Sequence, residues 1–267
     1  EGKYWYQEMG EVNSYELEQA RYGQLHKGEA VLVFVTEDFN GTKQVKLDNL
    51  EQAGSNRQPM FKMNMLKHFN TGIYTYSLMM SVFSPIGSEV PRHPLKITTS
   101  VQDWCGHVFT QLNQRDNKFF IQNYSYFESE GDVSKSFTIG WTEDELWSQI
   151  RINPRYLPIG KQKLLTGFFY NRLKHRPQDY FDVELKLISV NDTIQSYQID
   201  YTTEKRNLAI NFKKSYPYQI VSWTESYKDG ENIMTTKATL KKSILIDYWN
   251  KHNVEDLHYR KELDLSK

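Results

Sequence analysis

The sequence predicts a mainly β protein built on a large antiparallel sheet, curved into a barrel-like or sandwich-like form, with a few short helices. Three observations carry that expectation. Apolar and polar residues alternate at period two through much of the second half of the chain. The intervals between these runs are short and rich in turn-forming residues. Aromatic content is high, with 18 Tyr, 14 Phe and 6 Trp in 267 residues, and aromatic and β-branched side chains suit a pleated, half-buried surface.

The alternation is clearest between residues 180 and 240. Val183, Leu185 and Leu187 share one face, with Asp182, Glu184 and Lys186 on the other. Tyr197, Ile199 and Tyr201 repeat the pattern, as do Leu208, Ile210 and Phe212, then Met234, Thr236, Ala238 and Leu240. Strands with one face in a core and one in water read this way. Residues 161–245 are therefore expected to form one antiparallel meander. Leu185, Leu187, Ile199, Leu208, Ile210 and Phe212 should face its core.

The first half is less regular. Ala30 to Val35 reads as a strand buried on both faces, with Lys43 to Leu47 as its hairpin partner across Asn40-Gly41. Residues 73–83, 95–102, 106–112 and 119–127 are further strand candidates. Helices are expected at Ser14 to Tyr22 and at Thr142 to Ile152, with a last turn at Asp247 to Asn253. The second has the best start and stop signals. Thr142 and Glu145 have the spacing of a capping box, Leu146, Trp147 and Ile150 form an apolar stripe, and Pro154 ends it. The charged tail from Glu255 to Lys267 is expected to fray. The chain reads as a single folding unit over 1–267. Residues 153–160, with two prolines, would be the linker if two β lobes existed at 1–153 and 161–250.

Composition excludes several function classes. Lys plus Arg and Asp plus Glu both number 33, so the formal net charge is zero. A general nucleic-acid binder needs surplus basic charge to displace counterions from phosphates, and no nucleic-acid partner is expected. The same balance offers no long-range attraction to an anionic membrane. A single cysteine, Cys105, forbids an intrachain disulfide and a cysteine-based zinc site. The longest apolar run, Ala30 to Val35, is far short of the roughly 20 residues of a membrane-spanning helix. The first ten residues lack the apolar core of a signal peptide. The chain opens at Glu1 rather than Met, as it would if a leader had been removed.

Four clusters invite a chemical reading. Cys105 and His107, in Asp103-Trp104-Cys105-Gly106-His107, pair a thiol with an imidazole, the start of a Cys-His nucleophile. Same-face neighbours on one strand lie roughly 6–7 Å apart, too far for direct proton transfer. Cys105 is therefore expected to be structural and slow to alkylate. Glu128, Glu130 and Asp132 alternate beside Gly131 and could offer oxygen ligands to Ca²⁺, but no EF-hand spacing accompanies them. A solvated turn is the expectation, with no metal and no cofactor. Arg172, Lys174, His175 and Arg176 form the one basic cluster, after Phe168-Phe169-Tyr170. Such a cluster can contact phosphate or single-stranded RNA, although a solvated loop fits the neutral chain better. The P-loop, His-Glu-x-x-His and Gly-x-Ser-x-Gly patterns are absent.

The fourth cluster is a surplus of Met and aromatic residues between 60 and 83. Methionine fills irregular space and adapts to ligands of varied shape. Met63, Met65, Tyr74, Tyr76, Met79 and Phe83 are the candidate ligand-binding residues, lining an apolar cavity within the sheet; the alternative is that they simply fill a large β core. The expected function is a non-enzymatic binding protein, a carrier of an apolar or lipid-like molecule. The alternatives are a hydrolase using Cys105 and His107, or a protein–protein interaction module.

Several strings resemble a family of envelope proteins from Bacteroidetes-type bacteria: Gln19-Ala20-Arg21-Tyr22-Gly23-Gln24, the stretch Ala30 to Glu37, Asp103 to Gln111, Tyr124 to Gly131, and Asp247-Tyr248-Trp249-Asn250. The resemblance covers nearly the whole chain and implies no activity. It implies a periplasmic or outer-membrane location, a lipoprotein leader lying outside this chain as the only link to the membrane, and either an apolar small molecule or another envelope protein as partner. Some members carry the label "septum formation inhibitor Maf". True Maf proteins carry an N-terminal Ser-x-Arg-Arg phosphate-binding motif, and this sequence has no Arg-Arg pair, so that label is not carried over. Asp192-Thr193-Ile194 matches the short pattern to which such bacteria attach O-glycans.

Overall fold

The computed structural model describes residues 2–51, 53–87 and 93–266. Its strands are β1 (Gly10–Arg21), β2 (Gln24–Asn40), β3 (Val45–Lys46), β4 (Arg57–Thr71), β5 (Tyr74–Pro85), β6 (Lys96–Gln102), β7 (His107–Arg115), β8 (Lys118–Ser125), β9 (Val133–Thr138), β10 (Gly160–Leu165), β11 (Tyr180–Ser189), β12 (Ile194–Tyr201), β13 (Arg206–Lys213), β14 (Ile220–Asp229) and β15 (Asn232–Ile246). The α-helices are α1 (Gly2–Trp5), α2 (Glu143–Ile152), α3 (Phe168–Leu173) and α4 (His258–Glu262).

All fifteen strands belong to one sheet, in the spatial order β10 to β15, then β1, β2, β4 and on to β9, with β3 paired to β2. Every strand pairing is antiparallel, and the two halves of the chain join where β15 pairs with β1. The two free edges are therefore β9 and β10, neighbours in sequence separated by α2. The segment between β9 and α2 touches the β10 edge, where Leu165 N–H donates to Trp141 O (2.9 Å) beside a parallel bridge from Thr142 to Leu165.

Helix α2 shows that the sheet is wrapped. Glu143 to Arg151 are all buried, around the full circumference of the helix. Its side chains reach β1 through Glu11, β12 through Tyr201, and β13 through Arg206. Trp147 meets Trp223 of β14 edge-on at 5.2 Å. One helix can touch strands so far apart only if the sheet curls around it. A helix buried on all sides is a core element, and α2 fills the lumen. Its start is the capping box expected from sequence: Glu145 N–H donates to Thr142 Oγ1 (3.1 Å), and Thr142 N–H to Glu145 Oε2 (2.9 Å).

The meander from β10 to β15 follows the expected alternation, with α3 inserted between β10 and β11. Leu185, Ile199, Leu208, Ile210 and Phe212 are buried. Leu187 is not, because β11 outruns the core near its end and leaves this side chain 36% exposed.

Three elements differ from the sequence reading. Ser14 to Tyr22 is not helical; most of it lies in β1. Its odd positions, such as Tyr15 and Leu17, face the lumen. Its even positions, such as Val12 and Ser14, meet the C-terminal tail. Burial on both faces hides the alternation, and tertiary pairing overrides local helix preference. Lys43 to Leu47 supplies only the two-residue β3, paired with Phe39 and Asn40. Ala30 to Val35 instead lies between β1 and β4. Strand β4 has no clean alternation in sequence because Lys67 holds an inward position between Met65 and Phe69.

The described part of the tail, through Ser266, packs on the sheet. It forms a 3₁₀ turn and α4, and Leu263 packs on Val12, Val33 and Ile246 against the outer face of the sheet. Ser14 Oγ donates to Leu263 O, and Ser266 N–H and Oγ–H donate to Glu29 (2.8 and 2.6 Å).

Candidate functional site

The end of the wrapped sheet near the C-terminus of α2 carries an apolar pocket of about 160 Å³. Its walls come from four parts of the chain: Trp5 of α1, Phe61 of β4, Ile152 at the end of α2, and Tyr216 in the β13–β14 loop, with Ile86 and Tyr6 at the rim. The pocket opens beside a surface groove of about 560 Å³ that shares Tyr6 and Thr36 with it and adds Met9, Trp249, Glu8 and Asp247. The pocket lining is mainly apolar, and the adjoining groove brings polar groups from Glu8, Asp247 and Asn250.

The inner wall is held by a buried ion pair. Arg151, in the last turn of α2, donates to Glu11 of β1 through both Nη atoms (each 2.7 Å), and its Nε–H donates to Pro217 O (2.9 Å). Asn13 Nδ2 adds a bond to Glu11 Oε1 (2.8 Å), and the Tyr4 hydroxyl donates to Oε2. Burial alone would raise the Glu11 carboxyl. The Arg151 charge, with the hydrogen bonds from Arg151, Tyr4 and Asn13, holds it below its usual range instead. The Arg151 guanidinium lies over the rings of Phe34 (4.4 Å) and Trp5 (5.0 Å). Trp5 in turn meets Phe61 edge-on at 4.8 Å, and Thr36 Oγ1 donates to Trp5 O (2.8 Å). So the ion pair positions the aromatic wall, and α1 is tied to β2. Trp5 is buried, and its Nε1–H has no acceptor among the described residues.

At the N-terminal end of α2 the lumen is charged. Arg206 donates to both oxygens of Glu143 and to Glu225 Oε1, and Tyr201 donates to Glu143. Asp144 Oδ2 accepts Phe168 N–H (3.1 Å). Burial, then the neighbouring Glu143 charge, pushes the Asp144 carboxyl well above its usual range. Lys67 faces the same space, without a hydrogen-bond or ion-pair partner among the described residues, over Phe169 and Trp223. Burial lowers its pKa. The cavity left among these groups is about 30 Å³, room for roughly one water. This cluster holds α2 and α3 in the barrel and leaves no space for an organic ligand.

The six candidate ligand residues do not share one surface. Met63, Met65 and Tyr76 face the lumen and pack in the core around α2. Met79 and Phe83 lie on the opposite face of β5: Met79 is exposed and Phe83 packs on Phe39. Tyr74 sits at the far rim, where its hydroxyl donates to Tyr22 (3.0 Å) and the Tyr22 and Tyr76 hydroxyls are 2.6 Å apart beside Arg21. Strand parity separates the set. Only Phe61, adjacent to it in sequence, reaches the apolar pocket.

Cys105 lies in the bend between β6 and β7 and is exposed rather than buried. His107 opens β7 and pairs with Ser100 Oγ (2.8 Å). Glu130 bonds His175 Nδ1 (2.6 Å) and Ser125 Oγ (2.6 Å), while Asp132 accepts Ser125 N–H. Among the described residues no His, Cys, Asp and Glu converge as a metal site. Thr193 is exposed in its turn, its hydroxyl donating to Asn191 (3.1 Å).

Trp5, Ile152 and Tyr216 went unnoticed in sequence. The Tyr4-Trp5-Tyr6 triplet in an otherwise polar N-terminus was the available signal.

The architecture defines a β-barrel-like protein with an occupied lumen and an apolar mouth. No family model and no curated protein matches the chain. Among solved structures it is similar to a β-barrel-like protein of the domain of unknown function DUF1849 from Brucella abortus. The TM-score is 0.46 at 10% identity, over 90% of this chain and 98% of that one. Among the described residues no helix is long and apolar enough to cross a membrane.

Proposed function

We propose that this chain is a non-enzymatic binding protein of the cell envelope that holds a lipid-like amphiphile, its apolar end in the pocket and its polar end in the groove. One observation carries the reading: the apolar pocket walled by Trp5, Phe61, Ile152 and Tyr216 adjoins, at Tyr6 and Thr36, a larger groove with polar residues. The pocket alone falls below the roughly 300 Å³ at which small-molecule sites usually begin, and pocket plus groove exceeds it. An elongated ligand fits that shape better than a compact one. The envelope placement is supported by the sequence resemblance.

Titration with a fluorescent fatty-acid analogue tests this. Saturable binding is expected. It should weaken at least about tenfold in Ile152→Asp, which puts a charge in the apolar wall, and stay unchanged in Met79→Asp on the outer face. Absence of saturable binding, or equal loss in both variants, would overturn the reading. Native mass spectrometry of the protein from its own host would identify the ligand.

A further inference from the structure

At the opposite end of the molecule, the seam between the free edge of β9 and the segment leaving α3 encloses a second cleft of about 160 Å³. From the sheet come Val108, Thr110, Asn123, Val133 and Lys135, all on the inward faces of β7, β8 and β9. From the other side come Arg172, His175 and Pro177.

Three side chains in its walls, Arg172, Asn123 and Lys135, carry donors with no protein acceptor among the described residues. Arg172 is 5% exposed. Its Nη2 makes a long bond to Asp103 Oδ2 (3.4 Å), while Nε–H and Nη1–H have none. A buried guanidinium with incomplete hydrogen bonding is costly, and the charges of Glu130 and Asp103 and the Phe127 ring 4.5 Å away offset part of that. Asn123 is also buried. Thr110 Oγ1 donates to its Oδ1 (2.7 Å), which orients the amide and leaves the Nδ2 donor without an acceptor among the described residues. Lys135 is exposed at the cleft and has no ion-pair partner among them. Arg176 is already matched to Glu204.

We propose that this seam cleft is a binding site for a small organic carboxylate, held by Arg172, Asn123 and Lys135, with its hydrocarbon body against Val108, Val133 and Pro177. The guanidinium fork suits a carboxylate. The volume matches that of a cavity known to hold benzene, which sets the ligand near benzoate in size. Glu130 decides between anions. Its carboxylate lines the same cleft, paired with His175. A resident negative charge disfavours a phosphate dianion more than a monoanionic carboxylate. The site is independent of the apolar pocket, which lies at the other end of α2.

The test uses the full chain with sodium benzoate and, separately, inorganic phosphate, at constant ionic strength. Benzoate should raise the melting temperature saturably and shift the Asn123 side-chain amide resonances. Arg172→Met should weaken benzoate affinity at least about tenfold, the fold-change that one charge-assisted hydrogen bond carries. Lys135→Gln, exposed and expected to fold normally, should weaken it by a smaller factor. Lys242→Gln, an exposed lysine elsewhere, should not. If Arg172→Met does not fold, the contrast between Lys135→Gln and Lys242→Gln decides. No saturable response to benzoate, an equal response in Lys135→Gln and wild type, or tighter binding of phosphate than of benzoate would overturn the proposal.

Discussion

Arg151 and Glu11, 140 residues apart in sequence, form a two-pronged ion pair in which both side chains are buried and every bond is 2.7 Å. The pair joins the end of the lumen helix to the first strand and sets the wall of the apolar pocket. Removing one partner leaves the other charge buried and unmatched, so Glu11→Gln should destabilise the fold by about 3–5 kcal/mol, read as a lower midpoint in urea. The pH dependence has a definite sign. The folded pKa of Glu11 lies below its unfolded value. Its contribution is therefore complete above the ordinary carboxylate pKa of about 4.3 and fades as pH falls through the folded value. Glu11→Gln should flatten that acid limb of the stability profile.

Asp144 gives the opposite slope. Its folded pKa is raised, first by burial and then by Glu143. Above the unfolded pKa of about 3.9, the folded state keeps a proton that the unfolded chain releases, so stability falls as pH rises through that window. Asp144→Asn can still accept the Phe168 N–H bond and removes the penalty. The variant should be more stable than wild type at neutral pH and equal to it near pH 3, by chemical denaturation at both.

Lys67 is a buried cation with no ion-pair partner among the described residues, in contact with Phe169 and Trp223. Methionine has similar length and no charge to desolvate. Lys67→Met should raise stability by about 1–4 kcal/mol, the range seen when buried ionic groups are replaced by apolar ones. A loss of stability would show that Lys67 balances Glu143 and Glu225 through space, and the melting temperature distinguishes the two.

The tail acts as a clasp on the outer face. Leu263→Ala should cost about 2–3 kcal/mol through the cavity it leaves against Val12, Val33 and Ile246. Hydrogen exchange should then quicken in α4 and along the outer face of β1, and remain slow in α2.

Cys105 should react fully and rapidly with a thiol reagent in the native protein, because the side chain is exposed. Cys105→Ser should change stability by less than about 0.5 kcal/mol, as expected for an exposed position. Slow labelling would show that the bend at Asp103 to Gly106 shields the thiol in solution.

The strand-rich class, the meander of β10 to β15 and the start of α2 are legible in the residues alone. Each depends on local physics: period two for a strand with one wet face, and a Thr–Glu capping box for a helix start. The remainder depends on contacts between distant segments. β1 reads poorly as a strand because the tail covers its second face, and β4 because Lys67 interrupts its apolar register. Neither signal exists until distant segments meet. The same holds for both sites. Methionines adjacent in sequence were split between lumen and surface by strand parity, as Met80 and Met79 show, one buried and one exposed. The pocket that formed instead draws Trp5, Phe61, Ile152 and Tyr216 from four parts of the chain. What brings them together is the wrapping of the sheet around a helix anchored by Glu11 and Arg151, a pairing that periodicity and motif spacing do not encode.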